Sequence, residues 1–446
     1  MAFKDIRKSR RWLSAEDIRF LVLALILVLG MLAVNIYLAR TLPGGEWFFQ
    51  RWSGMRSFLA LQADASAEGV KGARIMPDSL PVTLAGQTHP YSTEIARRTQ
   101  QVAYGRPAFS SEYSYVLNDP FHILMLYTPL AFLRDFTLAR GLWALLCEAA
   151  LVGSVVLALN LSEWQPPRWL YALLILFGLF SLFSLTALVT GSPSIVLAFL
   201  YLWVLIALRS HADELAGVLL ALVAYQWEVG GLFVLYIIFS AFANRRWGVL
   251  AGLAMSLFVL LVISFMIYQG WGLPYVRAVI SAWLRGANLS LGRIVSVWFP
   301  EARFSIASII SLVLAIMLFV EWVASVNSHF RRVAWTAALS IAATPLMGFA
   351  IFTTNHVTLL LPFILILALV WERWHRRRVL YTLLVFLLVL GVPFGLYLRS
   401  VYIYDPLMTD LITVLPAVAA VVGLYWMRWW VLRSPRTWSD RLGEYR

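Results

Sequence analysis

Long apolar runs recur along this chain with basic residues between them, and that pattern leaves few folds open. Runs of about 20 residues without charge, such as Phe20–Ala39 and 379–398, match the length of helix that spans a hydrocarbon layer of roughly 30 Å. Inside lipid every backbone N–H and C=O must be satisfied by the protein itself, so such runs read as membrane helices. The composition agrees, with 61% hydrophobic and 13% charged residues over 446 positions and a mean hydropathy of +0.77. The expected fold is an all-α polytopic membrane protein, a single integral domain over residues 1–446. Its one cysteine, Cys147, lies in an apolar run, so an intramolecular disulfide is impossible.

The net charge of +13 resembles a nucleic-acid signal until it is located. The segment 41–119 carries seven acids (Glu46, Asp64, Glu68, Asp78, Glu94, Glu112, Asp119) against seven bases (Arg51, Arg56, Lys71, Arg74, Arg97, Arg98, Arg106), and is neutral. The surplus sits in short loops: Lys4 to Arg11, Arg245-Arg246, Arg331-Arg332, Arg373 with Arg376-Arg377-Arg378, and Arg428, Arg433, Arg436. That is the positive-inside pattern, so the partners are membrane lipids and not nucleic acid, and both termini are expected in the cytoplasm. The first run ends in Arg40 without a small-residue cleavage pattern and reads as a retained signal anchor. The expected layout is a basic cytoplasmic N-terminus 1–19, a first helix 20–39, an extracytoplasmic loop 41–119, a helical bundle 120–432 with a second outer loop 269–302, and a cytoplasmic tail 433–446. A plasma (inner) membrane location follows.

Further helices are expected at 120–133, 140–161, 169–189, 193–208, 213–225, 227–243, 247–268, 303–325, 333–352, 357–371, 379–398 and 411–432. The orientation of Lys4 and Arg245 requires an even number of crossings between them, so one of the seven runs in the first half fails to cross. The runs 120–133, 193–208 and 213–225 are short for a bilayer. About 12 crossings are expected, with broken helices in the first half.

The long loop opens with an acid, Glu46, where the chain leaves the first helix. Read as a helix, the following residues put Phe48, Trp52, Met55 and Leu59 on one stripe, with Gln50, Arg51, Arg56 and Ser57 off it, as in a helix lying in the membrane interface. The second outer loop repeats this: Val276, Val279, Ile280, Trp283 and Leu284 follow helical spacing, while Arg277, Ser281 and Arg285 share the other face. Arg293 follows. Guanidinium groups bind phosphate at two points, and lysine is nearly absent, so a lipid-phosphate site would be built from Arg51, Arg56, Arg277, Arg285 and Arg293. Each of these arginines also suits simple headgroup anchoring. Charges at membrane depth tend to face cavities. Glu228, between two short runs, is a candidate substrate contact, whereas Glu148 and Glu321 inside long helices suit structural pairing. His356, in a tight turn between two helices, is a candidate phosphate donor. No His/Cys cluster has metal-ligand spacing, and no metal or cofactor is expected.

The order of these features resembles the GT-C superfamily of membrane glycosyltransferases, and within it the polyprenol-phosphate-mannose-dependent mannosyltransferases once classed as a domain of unknown function. The resemblance rests on Gly45-Glu46-Trp47-Phe48 with Trp52-Ser53-Gly54-Met55-Arg56, then Asn118-Asp119-Pro120-Phe121, Pro129-Leu130-Ala131-Phe132-Leu133 and Ala139-Arg140-Gly141-Leu142-Trp143. Gly191-Ser192-Pro193-Ser194, Ala216-Gly217-Val218-Leu219-Leu220 and Arg245-Arg246-Trp247 continue it. It implies a GT-C-like fold and sugar transfer, with inversion, from a polyprenyl-phosphate donor to a lipid, glycan or protein acceptor outside. It also implies that Glu46 is the catalytic base, standing where the family has Asp, with Asp119 as the alternative. The family's Lys-Pro-Gln falls on Tyr225-Gln226-Trp227, which has no lysine. The competing expectations are a flippase or transporter of lipid-linked substrates and a non-catalytic cell-envelope assembly protein. Against transport stands the long first loop, which has no counterpart in the second half.

Overall fold

The computed structural model describes residues 15–69, 89–109, 112–286, 303–347, 352–374, 376–403 and 406–432, with 291, 295, 299 and 301. Among the described residues the protein is all-helical and has no strand. Six helices are long and apolar enough to cross a membrane, or seven if one bent pair counts as a span. This is the helix set of a multi-pass membrane protein. α1 (Ala15–Thr41) leads into α2 (Glu46–Gly69) and α3 (Thr93–Tyr104). The expected run 120–133 is broken into α4 (Phe121–Leu124), a 3-10 turn and α5 (Thr128–Ala131), with Pro129 in the first turn of α5. α6 (Phe136–Ser162) is continuous, capped at its start by the Asp135 carboxylate, which accepts from the Thr137 amide.

The run 169–189 splits into α7 (Arg168–Phe180) and α8 (Leu182–Thr190), bent by 44°. The break is local chemistry: Ser181 is extended, and its hydroxyl accepts from the Ser184 amide, so it caps α8 instead of continuing α7. α9 (Ser194–Arg209), α10 (Asp213–Val223) and α11 (Trp227–Ala243) follow. At 16 residues α9 rises only about 24 Å, short of a hydrocarbon core. The chain continues through α12 (Trp247–Ile267), α13 (Gly272–Gly286), α14 (Arg303–Ala324), α15 (Phe330–Ala343), α16 (Leu360–Arg373), α17 (Arg378–Ile403) and α18 (Pro406–Trp426).

Lipid replaces water around such a bundle, so apolar side chains face both inward and outward. The segment Thr353–Arg373 is 94% buried and forms the central post, whereas only 6% of the α1 window is buried. Between α10 and α12 the backbones nearly touch: a Cβ at Gly217 would strike the Val249 carbonyl. α6 joins the two ends of the bundle. At one end Glu163 binds Arg209 at 2.7 Å and Arg331 at 3.6 Å, Arg428 meets Glu321 at 2.7 Å, and Arg246 pairs with Asp213. The other end carries α2 and α3.

The expectation for the first loop helix changes. The first half of α2, residues 46–59, is enclosed on both faces, Gln50 and Arg51 included at 1% exposure each, because it is wedged between α5 and α6 on one side and the segment 112–119 on the other. On α13 the small residues Ala278 and Ala282 pack inward while Val276, Val279 and Ile280 point out. Inward packing there selects small side chains, and large aliphatics facing lipid cost nothing.

Candidate functional site

The site begins at the elbow between α1 and α2. Gly44 and Gly45 have φ of +117° and +84°, left-handed conformations that an L side chain rarely adopts, and they turn the chain sharply out of α1. A Cβ on Gly45 would lie 2.8 Å from Nε of Arg140, and one on Gly44 would lie 2.7 Å from the Val189 carbonyl. Glu46 then opens α2, where an acid suits the positive end of the helix dipole. The next turn is anchored by aromatic packing: Phe48 stacks on Trp143 with centroids 5.4 Å apart and on Phe136 at 6.0 Å.

Glu46 is 8% exposed and, among the described residues, forms no ion pair. Burial pushes its carboxyl above the ordinary carboxylate range; a hydrogen bond from its own amide and the charge of Arg140 oppose this without cancelling it. Beside it Trp47, Tyr113, Tyr115 and Phe352 form an aromatic cluster with centroids 5.0 to 5.3 Å apart. Tyr115 holds φ at +47°, a strained position for a non-glycine residue. Its carbonyl accepts from Gln50 at 2.8 Å, which ties the loop to α2.

Asp119 has a different setting. Arg51 meets it at two points, Nε to Oδ2 at 2.5 Å and Nη2 to Oδ1 at 3.1 Å, with both residues 1% exposed. Arg51 also donates to the Trp47 carbonyl at 2.8 Å, and the Tyr91 hydroxyl donates to the Asp119 carbonyl at 3.0 Å. Glu228 stands within electrostatic reach of this pair. It precedes a break in α11 at Gly230, where a Cβ would meet the Tyr201 hydroxyl at 2.5 Å, and its own carbonyl accepts from Asn355 at 3.4 Å. The structure therefore brings Glu46, Arg51, Asp119 and Glu228 to one end of the bundle.

The other candidates make contacts of their own. Arg56 donates to the Leu133 carbonyl at 3.0 Å and covers Trp52 at 5.3 Å. His356, expected in a tight turn as a phosphate donor, stands in the 3-10 helix Thr353–Leu359 and is 1% exposed; its Nε2 lies 2.5 Å from the Thr413 carbonyl and its ring meets Phe183 edge-on at 5.2 Å. Arg277 is exposed on α13. The Arg285 side chain and Arg293 lie outside the described residues. Glu148 accepts from Asn35 at 2.9 Å, and Glu321 pairs with Arg428, both structural contacts.

Residues 118–304 match the family model of glycosyltransferase family 87. The match is consistent with a membrane glycosyltransferase of the GT-C type. No curated protein and no solved structure matches the chain. The matched span contains Asp119, Glu228, Arg277, Arg285 and Arg293, whereas Glu46, Arg51 and Arg56 precede it and His356 follows it. It also contains Arg140, which sequence reading placed in a motif without giving it a role. The signal was there: an arginine one turn into a 27-residue apolar helix needs partners.

Proposed function

We propose that the protein transfers one sugar from a polyprenyl-phosphate carrier to an acceptor hydroxyl at the end of the bundle that carries α2, with inversion at the anomeric carbon. The observation that carries this reading is Glu46: a buried carboxyl with a raised proton affinity, engaged in no ion pair among the described residues, at the edge of a body whose sequence matches a glycosyltransferase family. A general base needs that availability. In the reaction Glu46 takes the proton of the acceptor hydroxyl, and the oxygen electron pair forms the new bond to the anomeric carbon. The bond from that carbon to the phosphate oxygen breaks, and its electrons leave with the lipid phosphate. Arg277, Arg285 and Arg293 hold the departing anion, since Arg51 and Arg56 are already engaged by Asp119 and by backbone carbonyls. Glu228 accepts from a sugar hydroxyl.

In this reading the chain crosses an inner membrane about 12 times, with both termini in the cytoplasm and the broken 121–131 segment as the run that fails to cross. Impermeant thiol labelling in a Cys147→Ala background tests the orientation: cysteines near Asp64 and Asp78 should label from outside, and one near Arg377 should not. The decisive assay gives purified protein a panel of radiolabelled polyprenyl-phosphate sugars with membrane extract as acceptor. Transfer from one donor is expected. Donor translocation across proteoliposomes with no transfer from any donor would establish a transporter instead.

A further inference from the structure

Arg140 reaches from one turn into α6 to the elbow that carries Glu46, and its contacts there are unusually complete. Nη1 donates to the carbonyls of Ala39 at 3.3 Å and Leu42 at 3.0 Å, and Nη2 donates to those of Pro43 at 3.2 Å and Val189 at 3.0 Å. One planar guanidinium thus ties the end of α1, the turn into α2 and the end of α8. Three of those carbonyls belong to the last turns of α1 and the turn after it, where helix-end carbonyls lack partners along the chain. The turn is shaped around this group: glycines at 44 and 45 leave no Cβ to strike it. One turn further along α6, Trp143 donates to the Gly191 carbonyl at 3.1 Å and fixes the same end of α8.

The geometry points to Arg140 as a positioning residue for Glu46: it fixes the elbow from which the acid projects and sets its guanidinium against the turn that carries that acid. This rests on the reading of Glu46 as the base. No other cation acts on Glu46 among the described residues; from the other elements packed against it the hydroxyls of Tyr115 and Tyr104 face it. Arg51, although also in the first turns of α2, is neutralised by Asp119. The matched family span, which holds Arg140, thereby acts on an acid that lies outside it.

The test is Arg140→Gln and Arg140→Lys in the full-length protein, read in two ways. The first is the pH profile of transfer. Transfer depends on ionised Glu46 and is lost as pH falls through its pKa, so removing the arginine charge should move that acid limb to higher pH. The rate plateau should also fall, on the order of a hundredfold for a displacement of about 1 Å. Lysine, which keeps the charge but cannot span four carbonyls, should lose rate with a smaller movement of the limb. The second reading needs no activity: infrared titration of the Glu46 carboxyl, isolated by subtracting Glu46→Gln, should shift upward in Arg140→Gln. If that variant does not accumulate, Arg140→Lys is read alone, with the same direction expected. An unmoved Glu46 titration in the variant that folds overturns the inference and leaves Arg140 a structural tie. A shifted titration in a wild-type protein that transfers no sugar upholds the Arg140–Glu46 coupling and sinks the assignment of function instead.

Discussion

The elbow at Glu46 and the clamp at Asp119 lie at the same end of the bundle, each holding a buried carboxylate, and they are wired in opposite ways. Asp119 faces Arg51 at two points, so the cost of burying its charge is offset by a partner buried equally deeply. Burial raises the proton affinity of Glu46, and among the described residues its own amide and the field of Arg140 are what oppose this. A carboxylate held at two points by a guanidinium is committed to structure. One without such a partner is free to meet a substrate, which is why proximity to the family motif alone does not assign the base.

The largest expected effect tests the clamp. Asp119→Ala strands the buried Arg51 guanidinium and should cost roughly 3–5 kcal/mol in denaturant unfolding. The paired change Arg51→Met with Asp119→Leu should cost much less, because no charge remains unpaired. If Asp119→Asn instead unfolds like wild type yet abolishes transfer, the two carboxylates exchange roles.

At the elbow, Glu46→Gln should reduce transfer on the order of a hundredfold or more, whereas loss of a helix-start charge alone costs about 0.3–1 kcal/mol of stability. Glu46→Asp should keep part of the rate. The wild-type rate should fall on acidification at a pH above the ordinary carboxylate value of 4.5, since the folded protein raises this group and transfer needs its ionised form. An acid limb at or below that value would show Glu46 to be as solvated as a surface acid.

Away from both, Arg285→Ala or Arg277→Ala should weaken donor binding about tenfold, the loss of one charge-assisted contact worth roughly 1.5–3 kcal/mol. Unchanged donor affinity in both variants would reduce that face of α13 to lipid anchoring. The smallest effect belongs to Arg56→Ala, which removes a carbonyl contact and the cover on Trp52 and should cost about 1 kcal/mol of stability with transfer unchanged.

Much of the fold was legible before any coordinates. Runs read at 140–161, 227–243, 247–268 and 303–325 correspond to Phe136–Ser162, Trp227–Ala243, Trp247–Ile267 and Arg303–Ala324. An apolar stretch of bilayer length, bounded by arginines, is a property of neighbouring residues and survives any packing. The acid at the mouth of the first helix was legible for the same reason, as was Asp119 at the start of the second run.

Folding together distant segments settled the rest. Periodicity set Arg51 apart from the apolar stripe of α2, but its partner is 68 residues away, and burial of that face depends on the 112–119 segment returning to cover it. His356 stands in a turn by sequence and is enclosed by Phe183 and Thr413 in space. Arg140 acquired its role only when carbonyls from residues 39, 42, 43 and 189 converged on it. Hydropathy is summed along the chain, so it marks which segments enter a membrane. Hydrogen bonds and ion pairs act over about 3 Å between residues of any separation, so whether an arginine holds a phosphate, a carboxylate or a helix end is decided by which segments meet.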